Sequence, residues 1–320
     1  MDKIQDKFVN DLTKKGVSPN TVKNYKSQFN SLLDLFNFPD NLNFLTTPEK
    51  NIKLIDESYT NPNTKASKIN IIMVIIKNFY SGDKKWEDIY KIYEVYRDKI
   101  KNELISKQGD ISEKQKEKMI TPEQTSIIKE FLKSKIKKQF KIKQDIIPLR
   151  NYILFTLLND LKTRGDIVNS KIVLDSKKFT NDIKYNFIII NKSKKTLKYI
   201  QNVYKTSKTY DTQEFTITNE LYPFFIKLYN AYKKFDITQE WAFYQDNLQE
   251  KLNENNLSKI YSSFGESINK QLSIQVNRIA DASAPEDRDS ILRIKEKAKK
   301  QGHSIQMHLD RYFKLDLFMI

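Results

Sequence analysis

The sequence predicts a mainly α-helical protein: an N-terminal helical domain followed by a mixed α+β domain that carries one small antiparallel sheet. Three observations predict it. Apolar residues recur at helical spacing through the first hundred positions. Residues 104–120, LISKQGDISEKQKEKMI, are polar, charged and poor in large side chains, which suits an exposed connector. Between residues 187 and 217 the pattern changes to short runs of β-branched and aromatic residues before helical spacing resumes after Pro223. The expected division is a helical domain over 1–104, a linker over 105–120 and a second domain over 121–320.

In the first segment Ile4, Phe8, Val9 and Leu12 lie on one helical face, and Gly16 follows as a C-terminal cap. Ser18 caps a second helix with Pro19 at its first position, and Val22, Tyr25, Phe29, Leu32, Leu33 and Phe36 form its apolar stripe. Pro39 and Pro48 read as breaks. Asn63 or Thr64 starts a third helix through Phe79, and residues 86–96 give a fourth. In the second domain Thr121 and Pro122 read as a cap and first helical residue, with helices to about residue 140 and over 146–161. Residues 187–190, 199–204 and 214–217 are the expected strands.

The chain of 320 residues carries 56 Lys and Arg against 40 Asp and Glu, a formal charge of +16. Its pI of about 9.5 favours a polyanionic partner, nucleic acid first. A Lys, Asn and Ile bias from AT-rich coding accounts for such an excess equally well, so charge alone does not decide. The absence of cysteine excludes disulfides, thiolate metal sites and cysteine nucleophiles, and histidine occurs only at 303 and 308. Neither common glycine-rich nucleotide fingerprint is present. The longest apolar run, residues 69–76, is too short to span a bilayer, and the opening MDKIQDKF has no apolar stretch of the signal-peptide kind. A soluble, intracellular protein without membrane association is expected.

The stretch from Gly302 and His303 to Tyr312 carries the most chemistry. A tyrosine alone on an amphipathic segment is ordinarily a packing residue, so support must come from elsewhere in the chain. Arg164, Gly165 and Asp166 follow the helix that ends at Leu161, and by themselves would be an exposed turn. Lys205 and Lys208 lie between two strand-like runs, where lysines are usually solvated. Together, in this order, the segments resemble the tyrosine recombinase family, in which a Gly-His step precedes the nucleophilic tyrosine by the nine residues that separate His303 from Tyr312. The Arg-x-Asp step at Arg164 is similar to integrases of eukaryotic DNA viruses and virophages. Residues 16–22, with Tyr25, resemble the opening of the family's core-binding domain.

The resemblance implies a role for each residue. Tyr312 is the nucleophile, and Arg164 clamps non-bridging phosphate oxygens with Asp166 orienting it. Lys205 protonates the departing 5′ oxygen, with Lys208 the alternative. The family places a His-x-x-Arg pair before the Gly-His step, its arginine about 23 residues before that histidine. Counting back from His303 reaches Ala280, with Asn277 in the histidine slot. Alanine has no group for the task, so the second clamp is expected to be missing, by natural loss or by replacement, at a cost of ~10²- to 10³-fold in rate. Arg278 lies two residues away and out of helical phase with position 280. It and Arg288 are the substitutes should residue 280 lie elsewhere.

The resemblance further implies double-stranded DNA as partner, a homotetramer on DNA that exchanges strands through a Holliday junction, no metal and no cofactor. It also implies a mobile element, acting in a host cell or carried in a virion. The rival readings are a type IB topoisomerase and a DNA-binding protein of the same fold that has lost catalysis.

Overall fold

A computed structural model describes residues 2–37, 39, 41–106, 112–175, 179–204, 207, 211–282, 296–298, 300–302 and 307. The chain divides into two compact units, Met1–Gln108 and Gly109–Ile320.

The first unit is helical. α1 (Asp2–Lys14) ends where Gly16 takes φ +73°, a conformation that costs glycine little. α2 (Pro19–Leu35) begins as its sequence dictates: Ser18 accepts from the Thr21 N–H, and Pro19 occupies the first turn. α3 (Pro48–Ser58) corrects the reading of Pro48 as a break, because a proline with no N–H to donate fits the first turn of a helix. α4 (Pro62–Phe79) and α5 (Lys84–Ser106) complete the unit. Its core gathers Phe8, Phe29, Leu32, Ile72 and Tyr93, and the Tyr93 hydroxyl accepts from Asn51 Nδ2 at 2.7 Å, tying α3 to α5.

In the second unit a short α6 (Glu113–Lys116) opens with a capping box between Ser112 and Gln115, inside the stretch expected to be an exposed connector, and buries none of its residues. α7 (Pro122–Ser134) has the same device at Thr121 and Gln124, and ends before residue 140. α8 (Ile146–Leu161) spans the residues the sequence predicts. It is apolar on nearly every face and lies in the middle of the core, with Ile153, Leu154, Phe155 and Leu157 fully buried. α9 (Tyr222–Lys234), α10 (Glu254–Ser263) and α11 (Ile274–Ala282) surround it.

The sheet has four strands in the order β1 (Ser170–Leu174), β2 (Asn186–Asn191), β3 (Thr196–Gln201) and β4 (Gln213–Ile217). The expectation of an antiparallel sheet is corrected: β1 pairs with β2 in parallel, Ser170 opposite Asn186, and only the other two pairings are antiparallel. β1 is a strand beyond the three that the sequence pattern predicts. Its outer edge is covered by residues 240–242, since Ile172 N–H donates to the Glu240 carbonyl at 3.3 Å and Ala242 N–H to that of Ser170 at 2.8 Å. β2 is buried on both faces, Ile188 and Ile190 toward the main core and Phe187 and Ile189 toward a smaller cluster with Ile200. That burial explains an unbroken apolar run instead of alternation. Among the described residues, no helix is long and apolar enough to cross a membrane.

Candidate functional site

α8 stops at Leu161 because Lys162 adopts a left-handed conformation, φ +50°. The chain then runs through Arg164 into a single 3₁₀ turn, Gly165–Asn169, which leads directly into β1. A Cβ on Gly165 would lie 3.4 Å from Leu257 Cδ2 and 3.6 Å from Glu254 Cγ, so the turn packs against the start of α10. Arg164 is thereby carried on a short, well-anchored segment, and its side chain is only half-buried.

Its guanidinium donates through Nε to the Gln301 carbonyl at 3.1 Å and through Nη2 to the Gly302 carbonyl at 3.3 Å. Gly302 takes φ +69°, the left-handed turn that ends the preceding helical turn and that glycine adopts most readily. Arg278, 5% exposed on α11, donates through Nη2 to the same Gln301 carbonyl at 2.8 Å. In return the Gln301 side-chain amide donates to the Arg278 carbonyl at 3.4 Å. Two guanidiniums from distant parts of the sequence therefore meet at the backbone that immediately precedes His303.

Helical phase had set Arg278 apart, yet Arg278 is the residue that meets Arg164. Ala280, the position counted back from His303, is the seventh residue of the same helix and is half-buried. Asn277 is buried with its amide directed elsewhere. It donates to Asn159 Oδ1 at 3.4 Å and accepts from Lys162 Nζ at 3.3 Å, which fastens α11 to the end of α8.

Asp166 makes no hydrogen bond to Arg164, and its buried Oδ2 accepts none among the described residues. Its influence is that of a charge. Burial is the main cause that pushes its carboxyl up to about 6, the nearby Glu254 adds to that shift, and the Arg164 and Arg278 guanidiniums oppose it. The buried carboxylate thus offsets part of the positive charge of the arginine pair.

One contributor had no sequence signal. Asn186, fully buried at the start of β2, donates through Nδ2 to the Asp166 carbonyl at 3.1 Å and to the Val203 carbonyl at 3.0 Å. Its Oδ1 accepts from the N–H groups of Asn202 and Val203 at 2.9 and 2.7 Å. One side chain thereby joins the turn after Arg164 to the chain leaving β3, two residues before Lys205. Lys205, Lys208, His303 and Tyr312 lie outside the described residues.

No protein-family model matches the sequence, and no curated protein matches it. Among solved structures, the crystal structure of XerA recombinase is similar with 13% identity and a TM-score of 0.42, covering 98% of this chain and 95% of that chain.

Proposed function

We propose that this chain cleaves and rejoins DNA through a covalent bond to Tyr312, with Arg164 and Arg278 as the two phosphate clamps. The observation that carries the reading is the convergence of both guanidiniums on the Gln301 and Gly302 carbonyls, next in sequence to the Gly302-His303 step. Two arginines that share a neutral acceptor concentrate positive charge at one point, where an oxyanion would be favoured. This assignment places the second arginine at Arg278 instead of Ala280, and the clamp is then complete.

In the proposed reaction the Tyr312 hydroxyl gives up its proton to water as its oxygen attacks a backbone phosphorus. The bond to the 5′ oxygen breaks, leaving a 3′-phosphotyrosine and a 5′ hydroxyl. The arginines neutralise the charge that grows on the non-bridging oxygens, and Lys205, or Lys208 as the alternative, gives its proton to the departing oxygen. Attack by a 5′ hydroxyl on the phosphotyrosine reverses the step, and when that hydroxyl belongs to another duplex, strands are exchanged. Exchange through a Holliday junction requires a tetramer on DNA. The +16 formal charge supports duplex binding through phosphates.

A suicide substrate, nicked so that the short fragment carrying the new 5′ hydroxyl diffuses away after cleavage, tests the reading. The wild-type protein is expected to accumulate a denaturation-resistant DNA adduct and Tyr312→Phe none, with duplex affinity retained. Equal adduct in both proteins would refute the assignment.

A further inference from the structure

A second polar site lies within the first unit. A cleft of about 390 Å³ between α2 and α4 is lined by Ser27, Ser31, Tyr59, Thr64, Ser67 and Lys68, with no aliphatic side chain among its walls. Lys68 is 4% exposed, an unusual state for a lysine. Its ammonium donates to Ser31 Oγ and lies 5.5 Å from the centre of the Tyr59 ring. It forms no ion pair with a described carboxylate. Asp34 acts on it only as a nearby charge, and burial holds its pKa below the ordinary lysine range.

An ammonium on a side chain this buried, given one hydroxyl, a ring face and the nearby charge of Asp34 but no ion pair, is incompletely compensated. It has three donors, one of which is used on Ser31. Ser27, Thr64 and Ser67 place further hydroxyl groups around the same space. Neutral hydroxyl donors around one buried cation match a tetrahedral oxyanion, whose several oxygens accept from all of them at once.

We infer that this cleft binds a phosphate group, with Lys68 as its charge and the serine and threonine hydroxyls as its cradle. The group can belong to a nucleic-acid backbone or to free phosphate. The first source rests on the DNA reading above, whereas the site itself does not.

The full-length protein and Lys68→Met are compared in two assays. The first follows thermal unfolding in sodium phosphate and in sodium chloride of equal ionic strength. Phosphate is expected to raise the wild-type midpoint by about 2 °C or more beyond chloride, as ligand linkage requires, and to leave Lys68→Met unmoved. The second measures duplex affinity against salt. Loss of one phosphate contact is expected to weaken Lys68→Met about 3- to 10-fold and to lower the logarithmic salt slope by about one. A lost phosphate response with an unchanged salt slope assigns the site to free phosphate. A wild-type midpoint that responds equally to both salts, or a Lys68→Met midpoint that responds as the wild type does, overturns the site. Should Lys68→Met fail to fold, the double variant Thr64→Val, Ser67→Ala keeps the lysine and is expected to lose the phosphate response in the same way. The Tyr312 adduct is a separate readout, so failure of the DNA chemistry and failure of this site are distinguishable.

Discussion

Arg164 and Arg278 share one acceptor, the Gln301 carbonyl, at 3.1 and 2.8 Å. Two guanidiniums held this close repel each other, and a carbonyl carries only a partial charge to offset them. Buried Asp166 offsets part of that charge, but it accepts no hydrogen bond from Arg164, so the guanidiniums remain directed at the 301–302 backbone. A phosphate that took the place of these carbonyls would gain charge-assisted donors from both guanidiniums.

The first prediction separates Arg278 from Ala280. Arg278→Ala is expected to slow strand cleavage by ~10²- to 10³-fold, the scale for removing one preorganised donor, while duplex affinity falls far less. Ala280→Arg is expected to leave cleavage within about threefold of the wild type, since the proposed clamp already has its second arginine in Arg278. Single-turnover cleavage of the suicide substrate measures both. A rise of a hundredfold on Ala280→Arg would return the second clamp to position 280.

Asp166 makes stability depend on pH in a defined direction. Its carboxyl holds the proton more tightly in the folded protein, at about 6, than the unfolded value of 3.8. Below pH 3.8 both states are protonated and nothing is lost. As pH rises through 3.8 toward 6, the unfolded chain ionises first, and the folded state loses up to about 3 kcal/mol. The stability of Asp166→Asn relative to wild type should therefore grow between pH 4.5 and pH 7, as read from urea midpoints. A difference that does not change with pH would contradict this origin.

Asn186→Ala should be among the most damaging single substitutions in the second unit. It removes four hydrogen bonds and leaves the Asn202 and Val203 N–H groups without their acceptor, a loss of roughly 2–4 kcal/mol. Its effect should also reach cleavage in the fraction that folds, because the same amide joins the Arg164 turn to the chain that leads to Lys205. Denaturant unfolding and cleavage of the refolded variant check the two parts. Unchanged stability would show that the amide network is not what holds these segments together.

Much of the helical framework was legible because local chemistry determines it. Ser18 with Pro19 and Thr121 with Pro122 are start signals that need no tertiary context, and the apolar run of α8 is too long for a strand. Pro48 misled because the same residue ends one element and begins another, and only the chain after it decides which. β1 was hidden because its partners, the parallel strand β2 and residues 240–242 on its outer edge, lie far away in sequence. The pairing of Arg278 with Arg164 was hidden for a related reason. Counting from His303 fixes a position along the chain, whereas contact with the Gln301 carbonyl depends on how α11 packs. Asn186 gave no signal at all, since one asparagine before an apolar run is a common strand start.

Salt dependence tests the charge. If the protein neutralises six to ten phosphates, duplex affinity should fall by roughly 10³- to 10⁵-fold between 50 and 200 mM salt. Binding titrations across that range measure it, and a flat response would assign the +16 charge to composition alone.

The most direct measurement is the site of the covalent bond. Wild-type protein is trapped on a suicide substrate, digested with protease and nuclease, and the modified peptide is sequenced by mass spectrometry. The account predicts a nucleotide attached through a 3′ phosphate to Tyr312 and no adduct on any other residue. An adduct on a different tyrosine, or none from protein that binds the substrate, would contradict it.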